Sequence, residues 1–240
     1  MLLFLVVMLL GFPMAAAPRV PVVVELFTSE GCSSCPPADE LLIRLSSQPF
    51  SAVEVIPLSL HVDYWNQLGW KDPFSSAAFS QRQQVYSRAL RTEAVYTPQM
   101  IVDGRFEFVG NQPGLAAEAI QKAARDVKVI PQLEVRRDGA SARVRIAVEA
   151  ATDSEVILVV TEDGLASSVT RGENQGRRIQ HDGVVRRWHP VGKTGGKPFS
   201  TETALAIEDA WNMSRVALVV LLQDRATRRI AGAARRPLVP

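Results

Sequence analysis

Two cysteines occur in the 240 residues, Cys32 and Cys35, inside the stretch TSEGCSSCPP. With two residues between them, the sulfurs can meet within one turn of chain. Such a dithiol can attack a disulfide, form a mixed disulfide and resolve it internally. The nucleophile is the thiolate, and an ordinary cysteine, with a pKa of about 8.5, is mostly protonated at neutral pH. Two other chemistries use the same pair. In the first it binds a metal, but a lone Cys-x-x-Cys supplies only half of the four ligands that a closed zinc site needs. His61, His181 and His189 are the histidines available to complete one. None shows ligand spacing, and each reads as a plain surface or strand histidine. Copper(I) needs only two thiolates, so a copper carrier is the better metal reading. In the second the pair is an inert structural disulfide.

The elements around the pair favour reactivity. PVVVELF, residues 21–27, is a β-branched apolar run and reads as a buried strand. PPADELLIRLSS places Leu41, Leu42 and Leu45 at helical spacing, with Pro36 and Pro37 in the first turn, where proline is tolerated. The cysteines therefore lie at a strand-to-helix junction. Free N–H groups and the positive end of the helix dipole favour an anion there. Residues 53–62 read as a second strand, parallel to the first, which makes a βαβ unit. HVDYWNQLGWKDPF follows at the end of that strand, where open α/β sheets bind ligands. It gathers His61, Asp63, Tyr64 and Trp65. It reads either as a loop packing its aromatics on the core or as a lip against a partner protein, with Trp65 and Trp70 as anchors. A helix is expected from Pro73. A hairpin then turns at Asp103-Gly104 within YTPQMIVDGRFEFVG, and a closing helix lies in QPGLAAEAIQKAARD. The order is β-α-β-α-β-β-α.

Past Pro131 short alternating strands separated by turns suggest a small all-β, sandwich-like domain. The expected division is residues 18–128 for the α/β domain and 131–240 for the β-domain. One polar, Arg-rich stretch, residues 171–192, carries two histidines and reads as a solvated hairpin rather than a docking surface. Residues 1–17 have an apolar core of about a dozen residues followed by small ones, the layout of a secretory signal peptide. This predicts a periplasmic or secreted protein in an oxidising compartment. The segment has no Lys or Arg before its apolar core, so an uncleaved anchor is the alternative. No later segment reads as transmembrane. The formal charge is +2 and the arginine pairs are scattered, which offers no basic patch for nucleic acid. With 47% apolar residues the chain can build a core without disulfide staples.

The ordering of strand, Cys-x-x-Cys on a helix N-terminus, strand, helix, Thr-Pro before a hairpin, and helix resembles the thioredoxin fold over residues 20–127. VELFTSEGCSSCPPADELL, HVDYWNQLGWKDPF and YTPQMIVDGR resemble more narrowly a family of secreted thioredoxin-like proteins of unassigned function. The resemblance implies that Cys32 is the exposed attacking thiol and Cys35 the buried resolving one. It implies that Pro98 is a cis-proline facing the dithiol and that the Thr97 backbone offers hydrogen bonds to an extended substrate. Thioredoxin also carries a buried acid on its first strand, six residues before its first cysteine. That position is Leu26 here. Glu25 stands one residue further back: either the turn TSEG is one residue longer and Glu25 plays the part, or the part is unfilled.

Ser33-Ser34 lacks the histidine that strongly oxidising relatives carry between their cysteines. Glu30, Asp39 and Glu40 lie close in sequence and would oppose a thiolate, and Pro36 and Pro37 remove two N–H groups. A moderately reducing pair is expected. The sequence therefore predicts an exported thiol–disulfide oxidoreductase acting on another exported protein, with no cofactor and no resident metal. The alternative is a copper(I)-binding or non-catalytic interaction protein on the same scaffold.

Overall fold

In the computed structural model, which describes residues 19–47, 50, 52–149 and 153–238, the chain begins with β1 (Val20–Thr28). The signal segment expected at residues 1–17 lies outside the described residues. After β1 come α1 (Pro36–Ser47), β2 (Val53–His61), a short 3-10 turn (Asn66–Leu68), α2 (Ala77–Leu90), β3 (Gln99–Val102), β4 (Phe106–Val109) and α3 (Pro113–Ala123). β1 and β2 pair in parallel, with Val20 opposite Val53 and Thr28 opposite His61. β3 runs antiparallel to β1, and β4 to β3. The N-terminal boundary of α2 is set by Ser76, whose hydroxyl accepts the Ala78 N–H.

The remaining elements are strands: β5 (Gln132–Asp138), β6 (Ser141–Val148), β7 (Ser154–Glu162), β8 (Leu165–Ser168), β9 (Arg178–His181), β10 (Val184–Lys193), β11 (Phe199–Ala206), β12 (Val216–Asp224) and β13 (Ile230–Pro237). Strand makes up 44% of the described residues against 20% helix, so the described structure is mostly β.

Eight strands from both halves form one mixed sheet in the order β13-β12-β7-β10-β2-β1-β3-β4. The seam between the halves is β10 against β2, where Val184 stands opposite Ser59 and the Ser59 N–H donates to the Gly183 carbonyl at 2.7 Å. α2 packs on one face of this sheet, its Phe79 and Tyr86 against Val23, Phe27, Ile157 and Val219. The other face is covered in two pieces. α1 and α3 cover Val22, Val24, Leu26 and Met100. A three-stranded sheet, β11-β6-β5, covers Val156, Leu158, Leu218 and Val220. Strand alternation produces this sorting, because neighbours on β1, β7 and β12 point to opposite faces.

The connection after α3, where a domain boundary was expected, is tied to both halves. Lys128 Nζ donates to Asp103 Oδ2 at 2.7 Å and to the Ile230 carbonyl at 3.0 Å, and the Val129 N–H donates to the Ala231 carbonyl at 3.0 Å.

Candidate functional site

Cys32 and Cys35 are joined as a disulfide at the start of α1. Backbone bonds shape the turn that carries them. The Cys32 N–H donates to the Ser29 carbonyl at 3.1 Å, and the Cys35 N–H to the Cys32 carbonyl at 3.2 Å. The helix opens from the Cys35 carbonyl, which accepts the N–H groups of Ala38 (2.8 Å) and Asp39 (3.1 Å). Pro36 and Pro37 occupy the first helical positions, where no N–H is missed. The Ser34 hydroxyl donates to Cys32 Sγ at 3.4 Å.

Both sulfurs are out of reach of solvent: Cys32 and Cys35 are each 0% exposed, whereas Ser33 and Ser34 are exposed. This corrects the expectation of an exposed Cys32. The reason lies about 140 residues away, in the loop between β8 and β9. Asn174, itself fully buried, donates from Nδ2 to the carbonyls of Glu30 (2.9 Å) and Cys32 (2.8 Å). Its neighbour Glu173 accepts the Ser33 N–H at 3.0 Å. The stretch 171–192 is therefore docked on the cysteine turn and is no freely solvated hairpin. Ile179, His181, Val184 and Val185 within it are all buried.

Thr97 and Pro98 are joined by a cis peptide, as the resemblance implied. The Pro98 carbonyl accepts the Gly110 N–H at 2.9 Å. A Cβ added to Gly110 would meet the side chains of Leu26, Ala38 and Pro98. Pro98 thus lies against the same face of α1 that carries Ala38. Trp65 links the parts: its Nε1–H donates to Thr97 Oγ1 at 2.9 Å, and its Cβ would stand 3.1 Å from a Cβ on Gly31. Trp65 is partly buried against the core on the α2 face of the sheet.

Glu25 does not reach the dithiol. It sits on the α2 face of β1, while Leu26 points to α1. Its carboxylate is bound by Arg82 Nε (2.6 Å) and Nη2 (2.9 Å) and by the Tyr86 hydroxyl (2.5 Å). Gln223 joins this buried group through Arg82 Nη1 at 3.1 Å and the Tyr86 hydroxyl at 2.8 Å. The part of a supporting acid beneath the cysteines is thus not filled by Glu25, because alternation turns it to the wrong side of the sheet.

The acids beside the dithiol come from elsewhere. His61 of β2, Asp72, Glu30, Asp39 of α1 and His181 of β9 are all buried and form one cluster. His61 Nδ1 bonds Asp72 Oδ2 at 2.7 Å, and that same oxygen accepts the Glu30 N–H at 2.9 Å. Glu30 Oε1 meets His181 Nε2 at 3.1 Å, and Glu30 Oε2 accepts the Trp70 Nε1–H at 2.9 Å. On the other side, His181 Nδ1 stands 3.7 Å from Asp39 Oδ1, an ion pair rather than a hydrogen bond. The two imidazoles stack edge-on at 4.6 Å, with Phe74 against both. Burial alone would push the His181 pKa down. The contacts with Asp39 and Glu30 outweigh it and lift the value to about 10, which favours the protonated ring. Asp72 is held below the usual carboxylate range: burial opposes this, but charge and hydrogen bonding from His61 prevail.

The side chains of Glu30 and Asp39, which on sequence alone oppose a thiolate, thus stand on either side of the His181 ring. His189, by contrast, is exposed on β10. Among the described residues no three His, Cys, Asp or Glu side chains converge in a metal-holding arrangement, and no helix is long and apolar enough to cross a membrane. The residues that sequence reading missed are Asn174 and His181 in its place between two acids. Their only signal was the unusual composition of residues 171–192.

Residues 23–223 match the family described as Protein of unknown function (DUF1223). The chain belongs to this family. A protein of Agrobacterium tumefaciens, solved by X-ray crystallography, is 30% identical, with a TM-score of 0.73 over 93% of this chain and 96% of that one. HBP35 of Porphyromonas gingivalis is 14% identical, with a TM-score of 0.68 over 92% of this chain and 76% of that one, a likeness of fold alone. No match is found among curated proteins.

Proposed function

We propose that the protein is an exported thiol–disulfide oxidoreductase of thioredoxin-like build, exchanging its Cys32–Cys35 pair with a disulfide or dithiol of another exported protein. The observation that carries this reading is the disulfide at the first turn of α1, backed by a buried carboxylate–imidazole cluster. Further support comes from the parallel β1-α1-β2 unit, the antiparallel β3–β4 pair and the cis Thr97–Pro98 bond on the α1 face. Cys32 attacks and Cys35 resolves. Thr97 and Trp65 line the approach, and the loop carrying Glu173 and Asn174 moves aside to admit the partner. The β-half supplies this loop and His181, so it takes part in the site rather than merely accompanying it.

A redox titration of the full chain in dithiothreitol or glutathione buffers, with free thiols trapped and counted by mass, tests the reading. A working couple switches reversibly between about −100 and −280 mV, and the absence of a cation between the cysteines places it toward the reducing end. A bond that stays closed well below about −300 mV is structural and refutes the proposal. A Cys35→Ser chain should then hold its partner as a mixed disulfide on Cys32.

A further inference from the structure

Beside the dithiol lies a cleft that the exchange chemistry leaves unused. It runs between α1 and β9, has a volume of about 340 Å³, and reaches Pro36, the residue after Cys35. We propose that this cleft docks an acidic, extended segment of the exchanging partner protein, whose carboxylates pair with Arg177 and Arg178. The proposal rests on the thiol–disulfide reading above and names the kind of partner that the same site takes.

The walls follow from local structure. Pro36, Glu40 and Ile43 line one side. Their spacing of four and then three residues places them on one stripe of α1. Arg177, Arg178, Ile179 and Gln180 line the other side, four residues in succession. A strand that turns a face to a cleft lines it with every second residue, because its side chains alternate. Four in a row are what a strand edge presents. Among the described residues β9 has one strand neighbour, β8, in a two-stranded sheet. Its second edge therefore carries backbone groups that no strand pairs. Such an edge takes an extended peptide as an added strand, with main-chain bonds for affinity and side chains for selectivity.

Charge sets the selectivity here. Arg177 and Arg178 are exposed, and neither guanidinium meets a carboxylate or another acceptor among the described residues. The acids nearby are engaged elsewhere. Glu40 stands 3.9 Å from Arg44, and Glu173 accepts the Ser33 N–H at 3.0 Å. Glu30 and Asp39 are buried against His181. Two cations are thus left on the open edge, and the planar guanidinium fork suits a carboxylate in particular.

The edge leads to the dithiol. The Arg177 N–H donates to the Asn174 carbonyl at 3.1 Å, and Asn174 Nδ2 donates to the Cys32 carbonyl at 2.8 Å. A segment laid along β9 therefore runs toward the cysteine turn, and it bears on the loop that must move for Cys32 to be reached.

Short extended peptides test this. Each carries one cysteine, joined to thionitrobenzoate as a mixed disulfide, and two aspartates, asparagines or lysines on the N-terminal or the C-terminal side of it. With the reduced full chain, the Cys32 thiolate attacks the peptide sulfur, the S–S bond breaks, and thionitrobenzoate leaves with the electron pair. Its release gives the rate, which is divided by that of the same peptide with dithiothreitol. At an ionic strength of about 0.01 M the aspartate peptide of one orientation should react about fivefold to tenfold faster than the asparagine peptide, the scale of two exposed ion pairs. The lysine peptide should be the slowest. The advantage should fall below about twofold in 1 M salt. Arg177→Gln with Arg178→Gln should abolish the preference. Arg136→Gln with Arg145→Gln removes the same charge from exposed positions on the three-stranded sheet and should keep it. Docking is also read without chemistry: an aspartate peptide with serine for its cysteine should bind by fluorescence anisotropy and slow hydrogen exchange along β9. Equal rates for all three peptides in both orientations overturn the proposal, and that comparison needs no variant to fold. So does a preference that survives the loss of Arg177 and Arg178, or that falls as much in the Arg136 and Arg145 variant. If no peptide releases thionitrobenzoate while the serine peptide still binds at β9, the exchange reading fails and the docking site stands. If the serine peptide does not bind, the docking site fails whatever the exchange rates.

Discussion

The side-chain amide of Asn174 donates to the Cys32 carbonyl at 2.8 Å, across 142 residues of sequence. A second bond from the same nitrogen reaches the Glu30 carbonyl at 2.9 Å. One side chain from the β-half thus closes the turn that carries the dithiol, and it is wholly buried in doing so. Asn174→Ala should cost about 1–3 kcal/mol of stability, since the buried Glu30 carbonyl loses its donor and the Cys32 carbonyl keeps only the Cys35 N–H. It should also speed reduction of the disulfide by dithiothreitol about tenfold, the factor that 1.4 kcal/mol of easier loop opening represents. Urea unfolding and thiol-release kinetics measure the two effects. An unchanged reduction rate in a destabilised variant would mean that this loop does not control access.

The charge on His181 has a pH signature. Its pKa rises from 6.5 to about 10 because Asp39 and Glu30 outweigh the burial that opposes them. A raised imidazole pKa contributes stability that is fully present below the unfolded value and is withdrawn as pH climbs through the folded one. The difference in unfolding free energy between wild type and His181→Gln should therefore be largest near pH 6. It should shrink by a few kcal/mol on the way to pH 10. Urea midpoints at each pH supply the curve, and a difference independent of pH would show that the ring is neutral.

Glu25 and Arg82 predict the opposite kind of result. The pair is buried and two-pronged, with a side-chain exposure of 0% for Glu25 and 12% for Arg82. Arg82→Met strands the carboxylate and should cost about 3–5 kcal/mol. Replacing both, as Glu25→Leu with Arg82→Met, should recover much of that loss, because the desolvation of two charges disappears with them. Neither change should alter the exchange rate by more than a few fold, since the pair lies across the sheet from α1. A large kinetic effect in a well-folded double variant would contradict that separation.

The seam between the halves can be probed at Gly183, where φ is +65°. A Cβ there would stand 2.5 Å from the Pro57 carbonyl oxygen. Gly183→Ala should cost at least about 1–3 kcal/mol from backbone strain. It should also weaken the neighbouring Ser59 N–H bond to the Gly183 carbonyl. Faster hydrogen exchange at Ser59, with little change at Val219 in β12, is the expected readout. Uniform loosening of the whole sheet would mean that the seam has no separate give.

Much of this was legible in the chain. The run PVVVELF, the leucines of α1 and the Asp103-Gly104 turn each carry their element in a few adjacent residues, and the elements appear in the order that those patterns indicate. The cysteine turn could likewise be placed at a helix start from Pro36 and Pro37 alone. Whether Glu25 reaches the dithiol stays open in the sequence, because strand alternation fixes only that Glu25 and Leu26 face opposite sides, and not which side receives α1. The stretch 171–192 was misjudged because its arginines and glycines carry no period, while its buried residues are held by a partner surface distant in sequence.

By itself, then, the sequence determined the local elements, the dithiol and its place at a helix N-terminus, because propensity, periodicity and turn chemistry act over a few residues. Only the tertiary structure decided that β10 joins β2 in a shared sheet, that Asn174 docks on the carbonyls of the cysteine turn, and that His181 sits between Glu30 and Asp39. Those outcomes depend on strand register and on which faces meet across more than 100 residues, and no local pattern encodes either.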